Sequence, residues 1–162
     1  MIRKIMRNLI VWGLALLCMA CGLPGVRAAS LSVVPLPARM EAGDGKFVWK
    51  NKQKIVCPSY PGDSVRMVCE RFMADMERAT GVKLRLATRQ RGDVVLSLDG
   101  SLPPEAYRLD VTPGGIRIRA ARPAGFFYAF QTLKQLMPRN VVAGVRTDTP
   151  AQGWSVPAGS SD

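Results

Sequence analysis

Few side chains in this 162-residue sequence could do chemistry. It contains no histidine, so His-based triads are out and a catalytic zinc would lack its commonest nitrogen ligand. Asp75 and Glu77 are the closest carboxylates. On a helix they would point about 200° apart, which suits a solvated face better than an acid/base pair. Gly43-Asp44-Gly45 and Thr112-Pro113-Gly114-Gly115 are turn sequences without the strand-loop-helix spacing that cradles phosphate. Of the four cysteines, Cys18 and Cys21 fall in an apolar leader, Cys57 ends a strand and Cys69 lies on an apolar helix stripe. Two readings of Cys57 and Cys69 stay open: a disulfide, if the chain is exported, or two buried small apolar side chains. The residues thus offer no catalytic, substrate-binding or metal site, and no cofactor is expected.

Charge points toward partners only weakly. Lys and Arg number 23 against 12 Asp and Glu, a net charge of +11. Such a balance can serve nucleic acid or an anionic surface. Here Arg85, Arg117 and Arg119 alternate with apolar residues along strands, and no nucleic-acid motif accompanies them. A solvated, arginine-rich sheet face accounts for them, and no nucleic-acid partner is expected.

The elements that would position any site follow from periodicity. Residues 1–28 read as an export signal, with Arg3, Lys4 and Arg7 ahead of an apolar run, 9–20, too short for a comfortable membrane span. Val26-Arg27-Ala28 before Ala29 fits ordinary signal cleavage. Cys21, followed by Gly22, fits an imperfect lipoprotein site instead, and only lipidation there would tie the chain to a membrane. The expected location is periplasmic, secreted or anchored to the outer membrane.

Strands are expected at 47–49, 54–57, 82–86 and 94–98. Between the second and third, Val65, Val68, Cys69, Phe72, Met76 and Ala79 share a stripe about 100° wide, the mark of a helix lying on a core. Asp63 or Ser64 can cap its start, and Gly81 its end. Tyr107, Leu109 and Val111 alternate with Arg108 and Asp110. Ile116 and Ile118 return beyond the turn, making a hairpin. Pro123 opens a second helix and Pro138 stops it. Its stripe, about 120° wide, holds Phe126, Ala129, Phe130, Leu133, Leu136 and Met137. One more short strand is expected within 140–145, and a linker from Arg146 onward. Strands, helix, strands, helix with short connections imply a two-layer α+β sandwich, one mostly antiparallel sheet with both helices on one face.

Residues 114–138 carry a more specific message. Gly114-Gly115-Ile116-Arg117-Ile118-Arg119-Ala120, then Pro123-Ala124-Gly125-Phe126-Phe127-Tyr128-Ala129 and Gln131-Thr132-Leu133-Lys134-Gln135-Leu136, resemble the end of a known domain. It is the N-terminal, non-catalytic α+β domain of family 20 glycoside hydrolases, the β-N-acetylhexosaminidases. Val34-Pro35-Leu36-Pro37 resembles the way that family opens its mature domain, and Trp154-Ser155-Val156-Pro157-Ala158 the way it approaches its catalytic barrel. Gly159-Ser160-Ser161-Asp162 departs from the pattern. Related domains precede other glycosidase barrels, so a neighbouring family remains an alternative.

The resemblance implies a substrate-assisted hydrolase of terminal N-acetylhexosamine whose site carries an adjacent Asp-Glu pair in a (β/α)8 barrel. Such a barrel needs at least ~200 residues, and eight follow Trp154. No adjacent Asp-Glu pair occurs. The expected organisation is therefore an export signal at 1–28, an α+β domain at 29–145, and 146–162 leading toward a barrel that this chain lacks. The expected role is an inactive scaffold whose partner is that barrel. The resemblance also implies that the helices lie between sheet and barrel. Phe127 and Tyr128, which fall outside the second helix's core stripe, are then expected on the docking surface. The competing reading is a free-standing exported module that binds an anionic or glycan surface through Arg85, Arg117 and Arg119.

Overall fold

The computed structural model describes residues 39–87, 91–146 and 153–161. Backbone contacts part residues 1–30 from 31–162, and all described residues belong to the second unit. The expected export signal at 1–28, with Cys21, and the proline-rich 34–37 segment lie outside them.

Among the described residues seven strands form one sheet in the order β1-β7-β5-β6-β4-β2-β3. They are β1 (Met40–Val48), β2 (Lys54–Val56), β3 (Arg85–Ala87), β4 (Val94–Leu98), β5 (Tyr107–Thr112), β6 (Gly115–Ala120) and β7 (Ser155–Ser161). Helix α1 (Ser64–Thr80) joins β2 to β3, α2 (Pro123–Gln135) follows β6, and α3 (Arg139–Val142) is a single turn. The two long helices share one core with the sheet, making the two-layer α+β sandwich that the residue pattern implies.

The pairings divide the sheet into halves. β1–β7, β7–β5 and β5–β6 are antiparallel, whereas β6–β4, β4–β2 and β2–β3 are parallel. One of the parallel pairings has a helical cause: α1 crosses from β2 to β3 and returns the chain in the same direction. The β4–β2 and β6–β4 pairings skip a strand in the chain, β3 and β5 respectively. The antiparallel half is built on the β5–β6 hairpin, with Val111 opposite Ile116 and Leu109 opposite Ile118.

Alternation decides what each strand buries. Ile116, Ile118 and Ala120 are buried while Arg117 and Arg119 are exposed. Val94 and Leu96 continue the buried face on β4, and Ile55 on β2. Against it lie Val65, Cys69, Phe72, Met76 and Ala79 of α1 and Phe126, Ala129, Phe130 and Leu133 of α2. Gly81 ends α1 with φ 75°, and its N–H donates to the Glu77 carbonyl at 2.8 Å.

Two segments depart from expectation. Residues 139–142 form the helical turn α3, not a strand. Pro138 precedes the turn in extended geometry, and the Ala143 N–H donates to the Arg139 carbonyl. The larger correction concerns the expected linker, because its residues 155–161 are strand β7, inside the sheet between β1 and β5. Its composition misleads for reasons visible in the fold. Pro157 pairs with Lys46 at the edge of an irregular stretch of β1, where register shifts between Ala42 and Lys46. There a missing donor does least harm. Gly159 lies so close to the Glu41 carbonyl that a Cβ would collide with it.

The start of β7 is anchored from both sides. The Trp49 N–H donates to the Trp154 carbonyl at 2.8 Å. The Trp154 indole Nε1 donates to the Thr80 carbonyl at 3.2 Å, at the end of α1.

Candidate docking surface

The potential chemical groups are committed to structural duties. Asp75 Oδ1 accepts from Arg78 at 2.9 Å and its Oδ2 from Lys134 Nζ at 3.1 Å. Glu77 faces Lys83 instead, at 3.4 Å. The two carboxylates therefore do not converge. Asp93 and Asp110 line one hollow of about 280 Å³ on the open side of the sheet. Yet Asp93 Oδ2 accepts from the Lys54 N–H at 2.7 Å, and Asp110 pairs with Arg119 at 3.5 Å. Among the described residues no cluster of three or more His, Cys, Asp or Glu could hold a metal ion. No described helix is long and apolar enough to cross a membrane.

The three arginines do not gather into a site. Arg117 and Arg119 sit on β6, while Arg85 lies on the edge strand β3, three strands away. Arg119 is already paired with Asp110.

Cys57 and Cys69 are both free thiols. They interact with each other, and burial pushes both thiols above the ordinary value, Cys69 the more strongly. On the surface, the Ser101 hydroxyl and N–H bond Asp99 and hold its carboxyl below the usual range.

What remains is the outer side of the helix layer. Phe127 is 38% and Tyr128 40% exposed, although the neighbouring Phe126 is fully buried. Their rings meet edge to face with centroids 5.7 Å apart. Met67 on α1 adds a side chain 64% exposed. Between the helices, Val68, Phe72 and Phe130 floor a shallow cleft rimmed by Arg71, Asp75, Gln131 and Lys134, with Phe127 at its side. The cleft is held in shape from both ends. Phe72 stacks on Phe130 with centroids 4.2 Å apart, and Lys134 reaches across to Asp75. Below, Tyr107 Oη shares a 2.7 Å hydrogen bond with Thr132 Oγ1, tying α2 to β5.

Sequence reasoning finds the aromatic pair through its place outside the α2 stripe. It misses Met67 and the Asp75–Lys134 bridge. Met67 also lies outside its helix's stripe, so the same residual test could have found it. The bridge joins residues 59 positions apart, which no periodicity marks.

A mixed sheet covered on one face by two helices defines a two-layer α+β domain, and among the described residues the carboxylates do not converge. The family model for glycosyl hydrolase family 20, domain 2, matches residues 30–160, and the chain belongs to that family. The match sets aside a neighbouring glycosidase family. A β-hexosaminidase of Vibrio vulnificus is 31% identical over 114 residues, which cover 70% of this chain and 12% of that protein. Among solved structures, an N-acetyl-β-hexosaminidase of Streptomyces plicatus aligns with TM-score 0.70 and 29% identity, over 84% of this chain and 27% of that one. The family 20 β-N-acetylhexosaminidase of Streptomyces coelicolor A3(2) aligns with TM-score 0.69 and 30% identity, over 80% and 25% respectively. The chain thus spans about an eighth of its curated relative and about a quarter of these solved ones. The fold is that of one domain within multi-domain enzymes.

Proposed function

We propose that this chain is the non-catalytic scaffold domain of an exported β-N-acetylhexosaminidase, and that the outer face of α1 and α2 docks against the enzyme's catalytic domain. The implied whole enzyme removes terminal N-acetylhexosamine from glycans. One observation carries the reading: a helix layer whose inner stripe is used up by the sheet still presents Phe127, Tyr128 and Met67 outward. Adjacent exposed aromatics of this kind are favoured at the centres of protein interfaces. Their support is stiff, since α2 is tied to both α1 and β5, and a stiff platform costs less ordering when it binds.

Catalysis is assigned elsewhere because Asp75, Glu77, Asp93 and Asp110 are dispersed and committed to other partners. Incubating the purified 162-residue chain with a chromogenic N-acetylglucosaminide tests this, and turnover above background would overturn it. Docking is tested by titrating a separately produced family 20 catalytic domain. Binding that weakens at least ~10-fold on Phe127→Asp with Tyr128→Asp supports the assignment; unchanged affinity refutes it. Export rests on residues 1–28, and the mass of the secreted N-terminus tests it by distinguishing a chain starting at Ala29 from one lipidated at Cys21.

A further inference from the structure

Cys57 and Cys69 come together for a reason that strand and helix geometry supplies. Ile55 on β2 faces the helices and is fully buried. Cys57, just beyond the end of β2, packs against the same core. Cys69 lies on the inner stripe of α1 between Val65 and Phe72, directed at that side of the sheet. The two thiols therefore meet where β2 ends, and each perturbs the other.

Their surroundings differ. Cys57 is half-buried and lines a solvent-open hollow of about 390 Å³ with Pro58, Tyr60, Arg66 and Leu86. Its Sγ donates to the Pro58 carbonyl at 3.5 Å. Cys69 is fully buried behind it and does not line the hollow. An incoming reagent meets Cys57 first.

We propose that Cys57 and Cys69 are an asymmetric disulfide-forming pair, with Cys57 the receiving thiol and Cys69 the resolving one, acting on a small-molecule disulfide whose reacting end enters the hollow. In the first step Cys57 loses its proton to water and its Sγ attacks one sulfur of the reagent. A mixed disulfide forms and one reagent thiolate leaves. In the second step Cys69 Sγ attacks Cys57 Sγ as its proton passes to the departing second reagent sulfur, while the first reagent thiolate regains a proton from water. Two protein thiols and one reagent disulfide become one protein disulfide and two reagent thiols, so electrons and protons balance. Burial raises the Cys57 thiol, while contact with Cys69 and the Arg66 charge pull it back down. Cys69 has no such relief, which matches attack from Cys57 first and a slower resolving step.

The test treats the reduced full chain with oxidised glutathione, blocks remaining thiols under denaturing conditions and maps tryptic peptides. Trypsin places Cys57 in peptide 55–66 and Cys69 in peptide 67–71, so their bridge is distinct from any involving Cys18 or Cys21. The expected product is these two peptides linked, after transient glutathione on Cys57. Cys69→Ser should accumulate glutathione on Cys57, and Cys57→Ser should leave Cys69 unmodified over the same period. Both thiols still blocked as free in the wild type would overturn the proposal. So would glutathione that persists on Cys57, or Cys69 in Cys57→Ser reacting as fast as Cys57 does in the wild type. The wild-type map decides the matter even if Cys69→Ser fails to fold.

Discussion

Phe72 of α1 and Phe130 of α2 lie face to face, with ring planes only 14° apart and centroids 4.2 Å apart. Trp49 joins them from the end of β1, 5.8 Å from Phe72. The two helices thus meet through a stacked aromatic contact that also touches the sheet. The contact lies under the cleft of the proposed docking face, so helix spacing and surface shape depend on the same two rings.

Replacing Phe72 with Ala should remove this stack and leave a cavity under the cleft. Large-to-small changes of this kind cost about 3–5 kcal/mol in a rigid core. Urea unfolding should show that loss, with Phe72→Leu costing distinctly less.

The Asp75–Lys134 bridge spans the helices with side chains only 21% and 15% exposed. Asp75→Asn removes the charge that both Lys134 and Arg78 use, and a loss of about 1.5–3 kcal/mol is expected for charge-assisted bonds. Lys134→Met should cost less, because Asp75 keeps its pairing with Arg78. Denaturation of both single variants and the double variant measures the coupling. Additive losses would show that the bridge contributes nothing specific.

Gly125 begins α2 where a Cβ would strike the Ala106 carbonyl oxygen and lie 2.8 Å from Ala120 Cβ. Alanine raises helix propensity by about 1 kcal/mol, but overpacking costs about 1–3 kcal/mol. One obstacle is backbone, so the upper part of that range applies. Gly125→Ala should lower the thermal midpoint. Gly114→Ala, where nothing lies within 4 Å, should stay within about 0.5 kcal/mol of wild type.

Cys69 supplies a pH signature. Burial raises its thiol above the ordinary 9.0. Below that value the thiol is protonated in both states and contributes no pH dependence. Above it, the unfolded chain releases a proton that the folded chain retains, so stability falls as pH rises. The slope approaches about 1.4 kcal/mol per pH unit for one proton and continues until the folded thiol itself ionises. Unfolding free energies of wild type and Cys69→Ala measured from pH 8 to 10.5 should show the wild type losing more above 9. Parallel curves would contradict this.

Both long helices and the hairpin were legible because each writes its own period into the chain. Phe126, Ala129, Phe130 and Leu133 mark α2 without reference to anything distant. The β7 strand left no such record. Its Pro157 and Gly159 answer to an irregular register and a close backbone approach in β1, features of a partner more than a hundred residues away. The parallel half of the sheet was hidden for a similar reason, since β4 pairs with β2 and β6, neither of them its neighbour in the chain. On the docking face, Phe127 and Tyr128 could be found as aromatics left over from the core stripe. The Asp75–Lys134 bridge could not, because polar pairing across two helices imposes no local spacing.

The position of β7 also sets the timing of folding. Among the described strands β1 neighbours β7 alone, so a chain folding from its N-terminal side carries residues 40–48 without a strand partner until residues 155–161 arrive. Closing so long a loop delays the pairing beyond every helix and hairpin contact. During that interval β1 and the far side of β5 are unpaired edges open to misassociation. A nascent chain stopped short of Ser155 would therefore be missing two strands, not one. The arrival of residues 155–161, more than any local propensity, governs when the sheet is sealed.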